Sequence, residues 1–87
     1  SNNYPNPFNP VTSFYIDVPD AGRLFVAVYD VNGRLVNELI NTQVVAGRIH
    51  DRWSGKNGSG VMSPTGIYFL KVETGINYHV QKLALVK

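Results

Sequence analysis

Turn-forming residues divide this chain into short stretches, and that punctuation constrains its fold more than any other feature. Pro19-Asp20-Ala21-Gly22, Asn32-Gly33, Ala46-Gly47, Gly55-Lys56-Asn57-Gly58-Ser59-Gly60 and Thr74-Gly75-Ile76-Asn77 interrupt the sequence at regular intervals. Between them, apolar side chains fall at alternate positions. Thr12 to Val18 sets Phe14, Ile16 and Val18 on one face and Ser13, Tyr15 and Asp17 on the other. Arg48 to Ser54 sets Ile49, Asp51 and Trp53 together, and Gly66 to Glu73 does the same with Tyr68, Leu70 and Val72. A period of two with short, turn-bounded runs is the pattern of half-buried strands. The fold class expected is all-β: an antiparallel β-sandwich of about seven strands.

Individual stretches sharpen this. Arg23 to Val31 is an almost continuous apolar run, with Leu24, Phe25, Val26, Ala27, Val28 and Tyr29 in succession, expected to form a central strand covered on both faces. Asn32-Gly33 predicts a type I′ hairpin turn leading into a partner strand over Arg34 to Ile40. Leu35, Val36, Leu39 and Ile40 also fit helical spacing, but the turn and the short length favour strand. Asn41 to Gly47 is expected to cross as a loop, with a short extended piece at Val44-Val45. Another short extended piece is expected at Val61-Met62-Ser63, and the last strand runs from Tyr78 to Lys87. Ahead of the sandwich, Pro5, Pro7 and Pro10 stiffen residues 1–11 into an extended lead-in, because each ring fixes its own φ and extends its predecessor. Tyr4 and Phe8 are available to pin that segment to a core. The domain proper is expected over residues 12–87.

Composition narrows function mainly by exclusion. With 87 residues the chain is one domain, of a size that buries only about 60–65% of its unfolded surface. Hydrophobic residues at 44% exclude a disordered segment, and their dispersal gives no continuous membrane span. The absence of cysteine excludes disulfides, thiolate metal clusters and a catalytic thiol. Ser1-Asn2-Asn3 carries neither an initiator Met nor a basic, apolar leader, so the expectation is a domain excised from a longer protein and closing on its C-terminal strand.

Catalysis finds little support. His50 and His79 are the two histidines, and His50 adjoins Asp51. Neighbouring strand residues point to opposite faces, and no serine stands in a nucleophile-elbow context, so rim histidines are expected. The carboxylates Asp17, Asp20, Asp30, Asp51 and Glu73 form no Asp-x-Asp-x-Asp loop and no histidine pair accompanies them, so no metal and no cofactor is expected. Gly55 to Gly60 superficially matches a phosphate loop, yet Pro64 and extended residues follow where a helix is needed. Asn57-Gly58-Ser59 formally fits a glycosylation acceptor and is expected instead to be a turn prone to deamidation. Net charge is +2, and the only local basic cluster is Arg48, His50 and Arg52 on one strand face, so no nucleic-acid partner is expected.

Tyr4-Pro5-Asn6-Pro7-Phe8-Asn9-Pro10, followed by Thr12 and an alternating strand, resembles the opening of the C-terminal sorting domains of the bacterial type IX secretion system. Those domains are similar to the immunoglobulin-like domain of the flagellar hook-capping protein. The resemblance continues through Pro19-x-x-Gly22, Val28-Tyr29-Asp30-x-x-Gly33-Arg34-x-Val36, Ala46-Gly47, Trp53-x-Gly55, Gly60, Gly66-Ile67-Tyr68-Phe69 and Lys82-Leu83-x-Leu85-x-Lys87, covering residues 4 to 87. Three positions depart from it: Ile49 stands where the family usually has histidine, Ser54 where it has aspartate, and Thr65 where it commonly has serine.

The resemblance implies an immunoglobulin-like sandwich without catalytic or cofactor residues. It implies a sorting role, carrying an upstream parent protein through the outer-membrane translocon to surface-attachment machinery, and thus to the cell surface or medium. Lys82, Lys87, Gly66 and Tyr68 are then the candidate partner-recognition residues, and a monomer is expected. Two other readings are carried alongside. One is a spacer or carbohydrate-contacting module of an extracellular hydrolase, using aromatics such as Tyr15, Tyr78 and Phe25, which an exposed planar row of rings would favour. The other is a flagellar hook-cap assembly domain.

Overall fold

The alternation of Phe14, Ile16 and Val18 with Ser13, Tyr15 and Asp17 becomes burial in the computed structural model, which describes residues 11–86. The first three side chains are buried and the second three exposed. Tyr4 to Pro10 and Lys87 lie outside the described residues, and with them the expected lead-in. Six strands form: β1 (Thr12–Val18), β2 (Gly22–Tyr29), β3 (Leu35–Val44), β4 (Gly47–Trp53), β5 (Gly66–Thr74) and β6 (Asn77–Leu85). All pair antiparallel. One sheet has two strands in the order β1-β4, and the other has four in the order β3-β2-β5-β6.

Between the two sheets lies a single core of Phe14, Ile16, Val18, Leu24, Val26, Val28, Trp53, Tyr68, Leu70, Leu83 and Leu85. The chain is an antiparallel sandwich, as the alternation and turns require. Tyr68, near the start of β5, donates its hydroxyl to the Pro64 carbonyl at 2.6 Å. That corner is a recurrent lock of immunoglobulin-type sandwiches. The Trp53 ring meets Tyr68 edge-on at 5.1 Å, and its Nε1–H donates to the Lys56 carbonyl at 2.9 Å. The same carbonyl accepts from Asn37 Nδ2, tying the β4–β5 loop to β3.

Several details sharpen or correct the sequence expectation. Six strands stand among the described residues against about seven expected, and Val61-Met62-Ser63 is the short extended piece expected there. It makes one bridge, Lys56 to Met62, and a Ser63 N–H to Gly55 carbonyl bond. β3 does not stop at Ile40 but continues to Val44, paired with Gly22, so only Val45 and Ala46 connect it to β4.

The helix-like spacing in β3 comes from two bulges. Register slips between Val26 and Ala27 and between Val28 and Tyr29 leave Leu39 and Val36 as the extra residues of β3. Each bulge resets the two-residue phase, so Val36, Leu39 and Ile40 all pack against the core. Finally, β2 is central but covered by a second sheet on one face only. On its outer face Phe25 and Tyr29 are half-buried among their sheet neighbours, with the Lys71 ammonium 5.8 Å from the Tyr29 ring.

The hairpin after β2 is also one residue out of register with the type I′ expectation. Gly33 N–H donates to the Asp30 carbonyl, so Val31 and Asn32 form the centre of the turn and Gly33 follows at φ 78°. The Asp30 carboxylate accepts from the N–H groups of Asn32 and Arg34. This is a three-residue hairpin loop with a left-handed glycine. Asn57 repeats the arrangement: Gly60 N–H donates to its carbonyl, and its Oδ1 accepts from Ser59 and Val61 N–H. An Asx side chain that holds its own turn outcompetes the shorter Asn-Gly alternative.

Candidate interaction site

The two sheets differ in width, and that mismatch builds a recess at one edge of the sandwich. β6 pairs Leu83 with Tyr68, Gln81 with Leu70, His79 with Val72 and Asn77 with Thr74. Cross-strand partners share a face, so Asn77, His79, Gln81, Leu83 and Leu85 all point inward. Leu83 and Leu85 are buried beneath β1 and β4, whereas Asn77, His79 and Gln81 stay exposed because the two-stranded sheet is too narrow to reach them. The result is an open groove of about 370 Å³ between β1 and β6. Ile16, Leu70 and Val72 give it an apolar floor, and Asp17, His79 and Gln81 a polar rim.

Sequence reasoning missed this groove, although a signal was present. The apolar phase of the last strand switches from Tyr78 and Val80 to Leu83 and Leu85, which leaves polar residues on the inner face of its first half.

The residues singled out from the sequence divide among several places. Lys82 is exposed on the outer face of β6, opposite Phe69. Gly66 opens β5 opposite Leu85. Tyr68 is only 6% exposed and spends its hydroxyl on Pro64, so its visible work is packing. Lys87 lies outside the described residues. His50 stacks on Tyr15 at 4.5 Å on the outer face of the two-stranded sheet, and His79 lines the groove at the other edge.

On that same outer face Arg48 bonds Asp17 at 3.0 Å and lies 5.5 Å from the Tyr15 ring, so part of the basic trio is engaged locally. Among the described residues no group of three or more His, Asp or Glu is placed to hold a metal ion, and no helix is long and apolar enough to cross a membrane.

The aromatics do not form one planar row. Tyr15 belongs to the two-stranded sheet, while Phe25 and Tyr78 belong to the outer face of the four-stranded one. There the Lys71 ammonium sits 5.0 Å from the Tyr78 ring and 3.7 Å from the Glu73 carboxylate. A cation over the ring competes with any sugar face for the same π surface.

Comparison with known proteins agrees with this architecture. The family model described as FlgD Ig-like domain matches residues 9–77. Among solved structures, FlgD from P. aeruginosa is similar at 31% identity and a TM-score of 0.67 over 86% of this chain, which spans 58% of that protein's length. Dimeric latent PorU from Porphyromonas gingivalis shares the fold at 23% identity and a TM-score of 0.66, over 95% of this chain and 9% of that one. No curated protein matches. With a family model matching residues 9–77, well over half of the sequence, the chain belongs to the FlgD Ig-like domain family.

Proposed function

We propose that this domain is a non-catalytic C-terminal sorting module that carries a parent protein through the type IX secretion system. The observation that carries the reading is the pair of motifs flanking the immunoglobulin-like body: Tyr4-Pro5-Asn6-Pro7-Phe8-Asn9-Pro10 before it and Lys82-Leu83-x-Leu85-x-Lys87 at its close. The fold is shared with FlgD and with part of PorU, so the fold alone does not separate the roles. In this reading the domain acts by contact, with Lys82 on the terminal strand and Lys87 beyond it in the sequence meeting the translocon, and Gly66 and Tyr68 holding the neighbouring strand in shape. The destination is the cell surface or medium, and the module is a monomer.

The test is to fuse the chain to the C-terminus of a periplasm-exported reporter in a host with the cognate system. Export of the reporter is expected, together with its retention in the periplasm when Lys82→Ala and Lys87→Ala are combined in a folded domain. Exposed lysines contribute little to stability, so such retention separates recognition from unfolding. A reporter that stays in the periplasm, in a host shown to export related domains, refutes the sorting role.

A second reading, the assembly domain of a flagellar hook cap, is favoured by the 31% identity to FlgD. Restoration of hook assembly by this domain, when it replaces the corresponding part of FlgD, would support that reading against the first.

A further inference from the structure

We propose that the groove between β1 and β6 receives an extended segment of a partner protein by strand addition to the free edge of β6, with an acidic residue of that segment opposite Lys82. The inference deepens the sorting reading and rests on it only for the source of the partner. Among the described residues β6 pairs with β5 alone, and β1 pairs with β4 alone. Two strand edges therefore border the same groove. Each presents a row of N–H and C=O groups that a further strand can pair.

Sheet edges are ordinarily blunted by proline, bulges or several charges. β3, the other edge of the four-stranded sheet, carries two bulges. β6 has none: it runs in unbroken register from Asn77 to Leu85 with no proline and Lys82 as its one charged residue.

The inner and outer faces of β6 specify the added strand. Side chains on its inward face would descend beside His79 and Gln81 onto Ile16, Leu70 and Val72, which calls for apolar residues at alternate positions. Side chains on its outward face would line up with Tyr78, Val80 and Lys82. Lys82 is exposed, so a carboxylate across from it completes a cross-strand ion pair. The segment is thus an alternating apolar and polar strand carrying one acidic residue.

The experiment titrates the full chain with an eight-residue peptide that alternates threonine and valine, one central threonine being replaced by glutamate. Saturable amide shifts are expected along β6 and at Ile16, Leu70 and Val72. Exchanging the glutamate for lysine should weaken binding about two- to fivefold, and Lys82→Glu should reverse that preference, the size of an exposed ion pair. Methylating the backbone nitrogens of one alternating set of the peptide should cost at least about tenfold, while the other set has little effect, because only one edge of the peptide pairs with β6.

Equal effects of the two methylated peptides, or shifts confined to other strands, would overturn the proposal. So would strong exchange protection of the outward β6 amides in the free chain. Such protection would mean that the edge is already taken by the chain itself, or, if it grows with concentration, by a second copy. Reporter export that persists alongside any of these failures leaves the sorting role standing and removes only the strand-addition mode.

Discussion

Gly55 and Gly60 share a backbone conformation but not their surroundings, and the difference gives a magnitude. Both hold left-handed backbone, at φ 85° and 82°. A Cβ at Gly60 would meet nothing within 4 Å, whereas at Gly55 it would lie 2.9 Å from Met62 Sδ and 3.1 Å from Leu85 Cδ1. Gly60→Ala should therefore cost the left-handed penalty alone, about 1–2 kcal/mol. Gly55→Ala adds an overpacking term, in a range of about 1–3 kcal/mol, at the lower end because the thioether of Met62 is flexible. The total is about 2–4 kcal/mol, against about 4–13 kcal/mol for a domain of this length. The loss of chain entropy in the unfolded state is common to both variants and cancels in the comparison.

Urea denaturation followed by Trp53 fluorescence measures both, and thermal melts should fall by about 4–8 °C per kcal/mol. A Met62→Ala background should recover part of the Gly55→Ala cost, giving a coupling energy that Gly60→Ala lacks. If Gly55→Ala costs no more than Gly60→Ala, the close approach of the loop to Leu85 is not real.

Tyr68→Phe keeps the ring against Trp53 and removes the hydroxyl from the Pro64 carbonyl, so a loss of about 0.5–1.5 kcal/mol is expected in the same denaturation assay. Asn32 and Asn57 should deamidate more slowly in the folded chain than in urea, as intact-mass and peptide mapping would show. Deamidation needs the following glycine nitrogen as nucleophile, and those of Gly33 and Gly58 are held by the carbonyls of Asp30 and Val36.

That last expectation refines the one drawn from the sequence at Asn57-Gly58, and the reason is general. An Asn-Gly pair announces a turn, but the turn type is decided by hydrogen bonds that the pair itself does not contain. At Asn32-Gly33 the Asp30 carboxylate takes two N–H groups and moves the turn by one residue. At Asn57-Gly58 the loop is held from outside by β3. In β3 itself, apolar residues at helical spacing turned out to mark two bulges, because an inserted residue shifts a strand's phase much as a helix would.

The candidate site was legible in part. Lys82 falls in the last strand, where the turn at Thr74-Gly75-Ile76-Asn77 puts it, but the groove beside it depends on how far one sheet overhangs the other. A single strand's alternation cannot state that.

What the sequence determined by itself is local: period-two burial in β1, β4 and β5, the glycine and proline turns between strands, and the packing residues Trp53, Tyr68, Leu70 and Leu83. These follow from covalent geometry, which alternates side chains along a strand and lets glycine alone enter left-handed backbone cheaply. Tertiary structure decided which strands share a sheet, where β3 bulges, and that a two-stranded sheet faces a four-stranded one. Those outcomes come from nonlocal pairing and packing between residues far apart in the chain. The exposed inner face of β6 exists only because the opposing sheet ends before it.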